Sequence, residues 1–443
     1  MGHLELVRES LARSQSQPLS VVLFHPGDVE RRDAAKLVLK KVALTEDLSI
    51  WADDGKLDHF LRTNSGSTPG LKRLRLRCDS ESTLSFQPSG SLQELDTFLT
   101  AAIHLEELVL EGCGPSPQTF QSSSPFNNLI RLFIDHTGYP KARQQISEIL
   151  TLLRVTPRLT ELRVQSAIQL GLPVPALIPP SPPVTLPHLV KLCLKDNLTS
   201  AAALMDSLVL PVMDKLELCT VDLAFPTRAA LGSVCRHLQA WLSSPGRQAI
   251  QFMEIYTSLD SCTVIARATD SKERKREPTL HLDLRLDDAQ MSMFLQTLMS
   301  KLPLRELRSL RVYSDDLYLW EPDNWGSLAM LPSLSSVVVT NSACGGLILA
   351  LNGFSDNPSM LTFPSLHNLE IVGAPLHFPY ATRKDSGELP HTISIIAHAL
   401  KLRKARTAAK LKLSLVDCRY PSDTDPREAI GSLVDDLRVE NLT

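Results

Sequence analysis

The spacing L-x-x-L-x-L constrains this chain more than any other feature, because it returns along nearly the whole length. Its cleanest statement is Phe363-Pro364-Ser365-Leu366-His367-Asn368-Leu369-Glu370-Ile371, with apolar residues at Leu366, Leu369 and Ile371. Alternate residues of a strand point to opposite faces, so the last two enter a core while their neighbours face out. Further clear copies are Leu71/Leu74/Leu76, Leu105/Leu108/Leu110, Leu129/Leu132/Ile134, Leu159/Leu162/Val164, Leu189/Leu192/Leu194, Met213/Leu216/Leu218, Leu307/Leu310/Val312, Leu334/Val337/Val339 and Ala408/Leu411/Leu413. Weaker copies stand at Ile250/Met253/Ile255 and Thr279/Leu282/Leu284. Neighbouring copies start roughly 24 to 42 residues apart. One such match would be noise, but a dozen describe units that bury their apolar sides only by stacking.

The pattern predicts an α/β fold, a leucine-rich-repeat solenoid: a curved horseshoe with a concave parallel sheet and convex helices, in about 12–13 irregular repeats. A chain of 443 residues would ordinarily suggest two or three domains. A solenoid grows by addition, so residues 1–443 read as one domain. Repeats are expected to begin almost at residue 1. Leu4, Val7 and Leu11 share one side of a helix that Pro18 ends, Leu19 to Phe24 reads as a strand, and Asp33 to Val42 as the next helix. Leu48 and Ile50 belong to the strand after it. Later helices are expected over Leu92 to Ile103, Arg228 to Leu242 and Thr392 to Arg406, with a final copy at Val434/Leu437/Val439 as a cap. Pro187, Pro211, Pro332 and Pro364 each fall two residues ahead of a repeat's first apolar position, where proline stops the preceding helix.

Four stretches interrupt the repeats and are expected as loop insertions: 171–187, rich in proline, 270–277, 314–325 and 375–388. The third sets Tyr318, Trp320 and Trp325 among acids, the composition of loop anchors at an interface or, for the two tryptophans, of side chains packed under the neighbouring repeat.

Composition bounds the function. A net charge of −3 gives no bulk attraction to nucleic acid or membrane, and aromatics at 5% leave few base-stacking platforms. Neither partner class is expected. The eight cysteines form no C-x-x-C pair, which favours reduced thiols and a cytoplasmic or nuclear location. Glu5, Arg8 and Glu9 exclude a secretory signal at the start, and no apolar run approaches a membrane span. No nucleophile elbow, phosphate loop, zinc-protease helix, dinucleotide fingerprint or paired cysteine–histidine ligand set is present. Asp135-His136 and Ala343-Cys344-Gly345-Gly346 read as turns rather than as a catalytic pair and a reactive thiol. The expectation is a protein that is not an enzyme, with no catalytic residue, cofactor or metal.

What remains is the concave face, whose outward residues flank each L-x-L pair. In the ten clearest copies the bases are Arg73, Arg75, Arg77, Arg131, Arg163, Lys191, Lys195, Lys215, Arg311, Lys410 and Lys412. The acids are Glu107, Glu111, Asp135, Glu161, Glu217 and Glu370. The excess of bases predicts a protein partner with an acidic surface.

The segment Leu4-Glu5-Leu6-Val7-Arg8-Glu9-Ser10-Leu11-Ala12-Arg13-Ser14, followed by Gln17-Pro18-Leu19-Ser20-Val21, resembles the stretch after the F-box in fungal F-box-like leucine-rich-repeat proteins, especially those of mushroom-forming species. The Leu/Phe-Pro-x-x-x-x-Leu spacing at Leu186-Pro187 and Phe363-Pro364 is similar too. The resemblance implies the substrate-receiving half of an F-box-type ubiquitin ligase adaptor. Family members carry the F-box before the segment that here begins at residue 4, so a Skp1-type adaptor is expected as a partner only if an F-box lies upstream. Leu389-Pro390 with Ile393, Ile395, Ile396 and Leu400 reads as the last repeat's helix instead. The alternative is a stand-alone leucine-rich-repeat scaffold or sensor with no ubiquitin link.

Overall fold

A computed structural model of the protein describes residues 3–15, 17–24, 33, 37–38, 41, 44–64, 70–78, 93–114, 126–139, 143–169, 182–220, 227–268, 278–315, 320, 322–351, 362–374, 376, 392–407, 410–419 and 425–441. They belong to two compact units, Met1–Asp222 and Leu223–Thr443.

The first unit carries β1 (Leu19–Phe24), β2 (Thr45–Ala52), β3 (Arg73–Cys78), β4 (Glu107–Glu111), β5 (Arg131–Asp135) and β6 (Glu161–Gln165). After the short β7 (Val184–Thr185) come β8 (Lys191–Lys195), the short β9 (Leu208–Val209) and β10 (Lys215–Cys219). Its sheet runs β1-β2-β3-β4-β5-β6-β8-β10, with parallel neighbours throughout, while β7 and β9 pair with each other. Register is set by the repeat. Leu48, Leu74, Leu108, Leu132, Leu162, Leu192 and Leu216 stand side by side, as do Ile50, Leu76, Leu110, Ile134, Val164, Leu194 and Leu218. All of these are buried. Burying each such side chain stabilises the fold by roughly 1.5–3 kcal/mol, and a one-residue slip would turn the whole row outward.

The residue that opens each strand approach is tied in the same way. A carbonyl just ahead of one strand accepts two successive N–H groups from the next repeat: Lys72 from Glu106 and Glu107, Glu106 from Ile130 and Arg131, Ile130 from Thr160 and Glu161. A tight turn precedes the motif's first leucine, as in Leu129 N–H to Phe126 O and Leu189 N–H to Leu186 O. Phe126 is buried, and so are Leu186 and Phe363, so the conspicuous Leu/Phe ahead of Pro187 and Pro364 is a core position. Past the strand the chain must turn sharply, and there it takes positive φ at Gly112, Ser166, Gly373, Asp417 and Asn441.

The second unit contains β11 (Phe252–Thr257), β12 (Ser261–Arg267), β13 (Leu280–Arg285), β14 (Ser309–Ser314), β15 (Ser336–Asn341), β16 (Asn368–Val372), β17 (Lys412–Val416) and β18 (Asp436–Glu440). Its order is β13-β12-β11-β14-β15-β16-β17-β18. The two weak copies, expected as consecutive parallel repeats, are therefore kept apart by β12, which runs antiparallel to both. The cause is the connection. Ser258 and Ser261 close a tight turn by N–H to carbonyl at 2.9 Å, and a parallel strand needs a crossover far longer than that. β11, not β13, then pairs with β14. The last clear copy is also corrected in frame: β16 pairs Leu369 with Leu413 and Ile371 with Leu415, two residues on from Leu411/Leu413.

Helices begin where the sequence supplies caps. Thr227 accepts the Ala230 N–H ahead of helix Arg228–Leu242, and Asp287 with Gln290 forms a capping box ahead of Asp288–Lys301. Helices Arg228–Leu242 and Thr392–Arg406 have the expected bounds. Gly345 and Gly346, expected in a turn, lie buried inside helix Ala343–Leu351. Among the described residues no helix is long and apolar enough to cross a membrane.

Of the expected insertions, 270–277 lies outside the described residues, as do most of 171–187 and 375–388. The stretch 314–325 is corrected in part, because its end enters helix Pro322–Ala329. Of the two readings of Trp320 and Trp325 the packed one holds: they are core residues, 2% and 0% accessible, and not exposed anchors. Their rings lie 5.0 Å apart, Trp325 meets Phe363, and Trp320 Nε1 donates to Thr257 Oγ1 at 3.2 Å. Tyr318 lies outside the described residues.

Two buried polar devices lock these repeats. The Arg403 guanidinium, from helix Thr392–Arg406, donates to the carbonyls of Thr362, Phe363 and Leu366 at 3.2, 2.8 and 2.9 Å. It thus holds the turn that enters β16. In the first unit, His136 is fully buried after β5, with Nδ1 3.1 Å from the Asp135 carbonyl oxygen. That oxygen only accepts, so Nδ1 carries the proton. Desolvation outweighs the nearby Asp135 and pulls the His136 pKa from 6.5 down to about 4.

Replacing Arg403 with Met should cost about 2–4 kcal/mol, read from the urea midpoint, because three carbonyls lose their donor. Arg403→Lys should recover only part of it, since an ammonium cannot match the planar fork. For His136, an unfolded chain binds a proton near pH 6.5 that the native state refuses until about pH 4. Stability should therefore fall as pH drops through that window, by up to about 3 kcal/mol. A pH series of denaturant midpoints should show a flatter slope there for His136→Phe.

Candidate functional site

Because inward residues are locked in register, outward residues are locked too, and they form three rows across the open face of the first unit. The lower row is Asp47, Arg73, Glu107, Arg131, Glu161, Lys191, Lys215. The middle row is Ser49, Arg75, Val109, Phe133, Arg163, Cys193, Glu217. The upper row is Trp51, Arg77, Glu111, Asp135, Gln165, Lys195, Cys219. Eight of the sequence-predicted basic residues thus do share one face: Arg73, Arg75, Arg77, Arg131, Arg163, Lys191, Lys195 and Lys215.

The face is less basic than the sequence suggested. Charge alternates along most of the lower row, and Arg73 meets Asp47 at 3.2 Å, Arg131 meets Glu107 at 3.0 Å and Lys191 meets Glu161 at 3.5 Å. In the upper row Arg77 lies 3.8 Å from Glu111, and Lys195 reaches down to Glu217 at 2.8 Å. That hydrogen bond raises the Lys195 pKa. Asp47 and Trp51 join this face although β2 has Thr45 where the motif's first leucine would stand and so does not display the full spacing. Exposed pairs of this kind add little stability, about 0–1 kcal/mol each, yet they fix where charge sits.

The middle row differs. Arg75 is exposed, its in-register neighbours are Ser49 and Val109, and it has no charged partner among the described residues. Three strands away, the Arg163 guanidinium lies over the Phe133 ring at 5.1 Å. Between the two arginines stand Val109 and Phe133, an apolar strip bounded by charged rows. At the edge, Arg77 stacks on Trp51 at 4.9 Å and Trp51 meets Phe24 edge to face at 4.7 Å. These arginine–aromatic contacts hold the guanidinium planes in place.

In the second unit Arg311 also faces out, 3.8 Å from Glu254. Lys412 is exposed on β17, beside Asp436 at 3.9 Å. Asp135 and His136 do not form a catalytic pair: the Asp135 carboxylate takes the Thr137 N–H at 2.8 Å, and His136 addresses only the backbone. Cys344 is fully buried, and burial pushes its pKa well above 9.0. Cys193, although on an outward position, is buried and pushed up to about 12, by desolvation and then by Glu217. Neither is an available nucleophile.

No family model matches the chain, and no curated protein matches it. Among solved structures it is similar to the crystal structure of a TLR13–ssRNA13 complex, with 15% identity and a TM-score of 0.33. The match covers 95% of this chain and 47% of the other, so this chain spans about half that length. The likeness is distant, and the assignment to the α/β leucine-rich-repeat solenoids rests on the register and burial of the repeats.

Proposed function

We propose that the protein is a non-catalytic recognition solenoid and that the open face of the first unit receives a protein partner. The observation that carries this reading is the middle row. There Arg75, exposed and without a charged partner among the described residues, and a ring-stacked Arg163 bracket the half-buried Phe133 and, beneath them, Val109 at 4% exposure. Interfaces draw most of their energy from such arginine and aromatic anchors, with paired charges around them acting as a rim. The partner that fits is a protein surface with an acidic group beside an apolar one. The finer reading, supported by the family resemblance alone, is that the partner is a substrate delivered to an F-box-type ubiquitin ligase.

A photo-crosslinking amino acid at position 75 should capture a discrete protein in cells, whereas one at the exposed helix position 62 should not. Equal labelling at both positions would sink the reading. Arg75→Glu combined with Arg163→Glu should weaken capture by about tenfold or more and flatten its salt dependence. Arg73→Glu alone should do less, since Asp47 already holds that arginine. Co-expression of the full product of the native transcript, with whatever precedes this segment, and a Skp1-type adaptor separates the finer reading: no complex with that product would remove the ligase role and leave the recognition face standing.

A further inference from the structure

The open face of the second unit has a different chemistry. Tyr256 on β11 and Tyr313 on β14 are paired in register, and their rings stack at 4.5 Å and 2°. Tyr256 is 37% exposed. Its hydroxyl donates to Glu254 Oε2 at 3.3 Å, and Glu254 also sits between Arg267 at 3.5 Å and Arg311 at 3.8 Å. The carboxylate thus ties the tyrosine pair to two guanidiniums. Next to it, Val338 follows Arg311 in register, and Thr340 and Val372 follow Tyr313. These are uncharged and half-buried, where the first unit places ion pairs.

We infer that this tyrosine–arginine patch is a second protein-docking site, whose occupant is a peptide segment carrying one carboxylate next to an apolar side chain. The carboxylate is called for by Arg311. That guanidinium is exposed, makes no hydrogen bond among the described residues, and at 3.8 Å from Glu254 stands beyond hydrogen-bond reach. A second carboxylate would take its donors two at a time. Arg267 and Arg311 together outweigh the Glu254 between them, and Glu370 stands two strands beyond Arg311 in the same row, so a single carboxylate seated at Arg311 is complementary. The apolar side chain belongs over the edge of the tyrosine stack and the Val338–Val372 shelf. Because Tyr256 is already stacked and hydrogen-bonded, little side-chain entropy is lost when a partner arrives. A nucleic-acid strand suits the patch less well, because the tyrosines spend their facing surfaces on each other rather than on bases.

The inference rests on the recognition reading only in taking an open sheet face as the binding face, and it uses none of the first unit's residues. The test pans a displayed random-peptide library on the full chain and measures the affinity of the selected peptides. Peptides pairing Asp or Glu with an apolar residue should be enriched. Their affinity should fall about tenfold or more with Tyr256→Ala or Arg311→Gln, hold with Tyr256→Phe, and hold with Arg75→Glu. Thermal melts of each variant confirm that the fold is retained. Selected peptides that depend on Arg75 and ignore Tyr256 and Arg311 would overturn this site while keeping the first. An absence of enriched peptides would overturn it as well. Binding of a poly-uridine oligonucleotide that is lost in Tyr256→Ala would replace the protein partner with a nucleic acid.

Discussion

The register of the buried apolar rows is the constraint on which the rest depends. Each repeat contributes two inward side chains to its strand, and neither can be exposed without uncovering its neighbours in the next repeats. Leu74 beside Leu108 beside Leu132 is at once a core and an alignment device. Once that alignment is set, the outward residues have no freedom left. Asp47 must face Arg73, and Glu107 must face Arg131. The pattern of charge on the open face is a by-product of hydrophobic register, which is why a surface of otherwise weak ion pairs is well ordered.

Much of this was legible in the chain because the signal is local. A strand of this type announces itself within six residues, and both bounds of β1 and the buried Leu48 and Ile50 of β2 follow from alternation and the neighbouring proline. Helix Arg228–Leu242 was equally readable, with Thr227 as its cap. What failed was whatever depends on the pairing of distant segments. The basic excess looked large when outward residues were counted one by one, but pairing sets an acid beside most of them. The tryptophans at 320 and 325 sat in a polar stretch, and only the fold brings Thr257 and Phe363 against them. The inversion of β11 to β13 had a local cue in the short Ser258–Ser261 turn. That cue weighed less than the leucine spacing on either side.

The two units present contrasting faces built by one rule. In the first, long charged side chains occupy most outward positions and satisfy each other. In the second, tyrosine, valine and threonine take many of those positions, and Arg267 and Arg311 converge on Glu254. Strand geometry is indifferent to which is used, since only the inward set decides folding. Such a scaffold separates the residues that keep it folded from those free to bind, and a face can change its chemistry without cost to the core.

The hairpin of β11 and β12 makes the second unit unlike a simple stack in one further respect. β11 waits for β14 across roughly twice the sequence separation that divides β14 from β15. That doubling adds about 0.6 kcal/mol of loop-closure entropy. During synthesis β11 emerges with one edge satisfied by β12 and the other bare, and it stays bare until helix Asp288–Lys301 and β14 have followed. An unpaired strand edge on a nascent chain is where wrong partners attach. The same detour that brings Tyr256 and Tyr313 together therefore also gives the second unit its most vulnerable moment while it is being made.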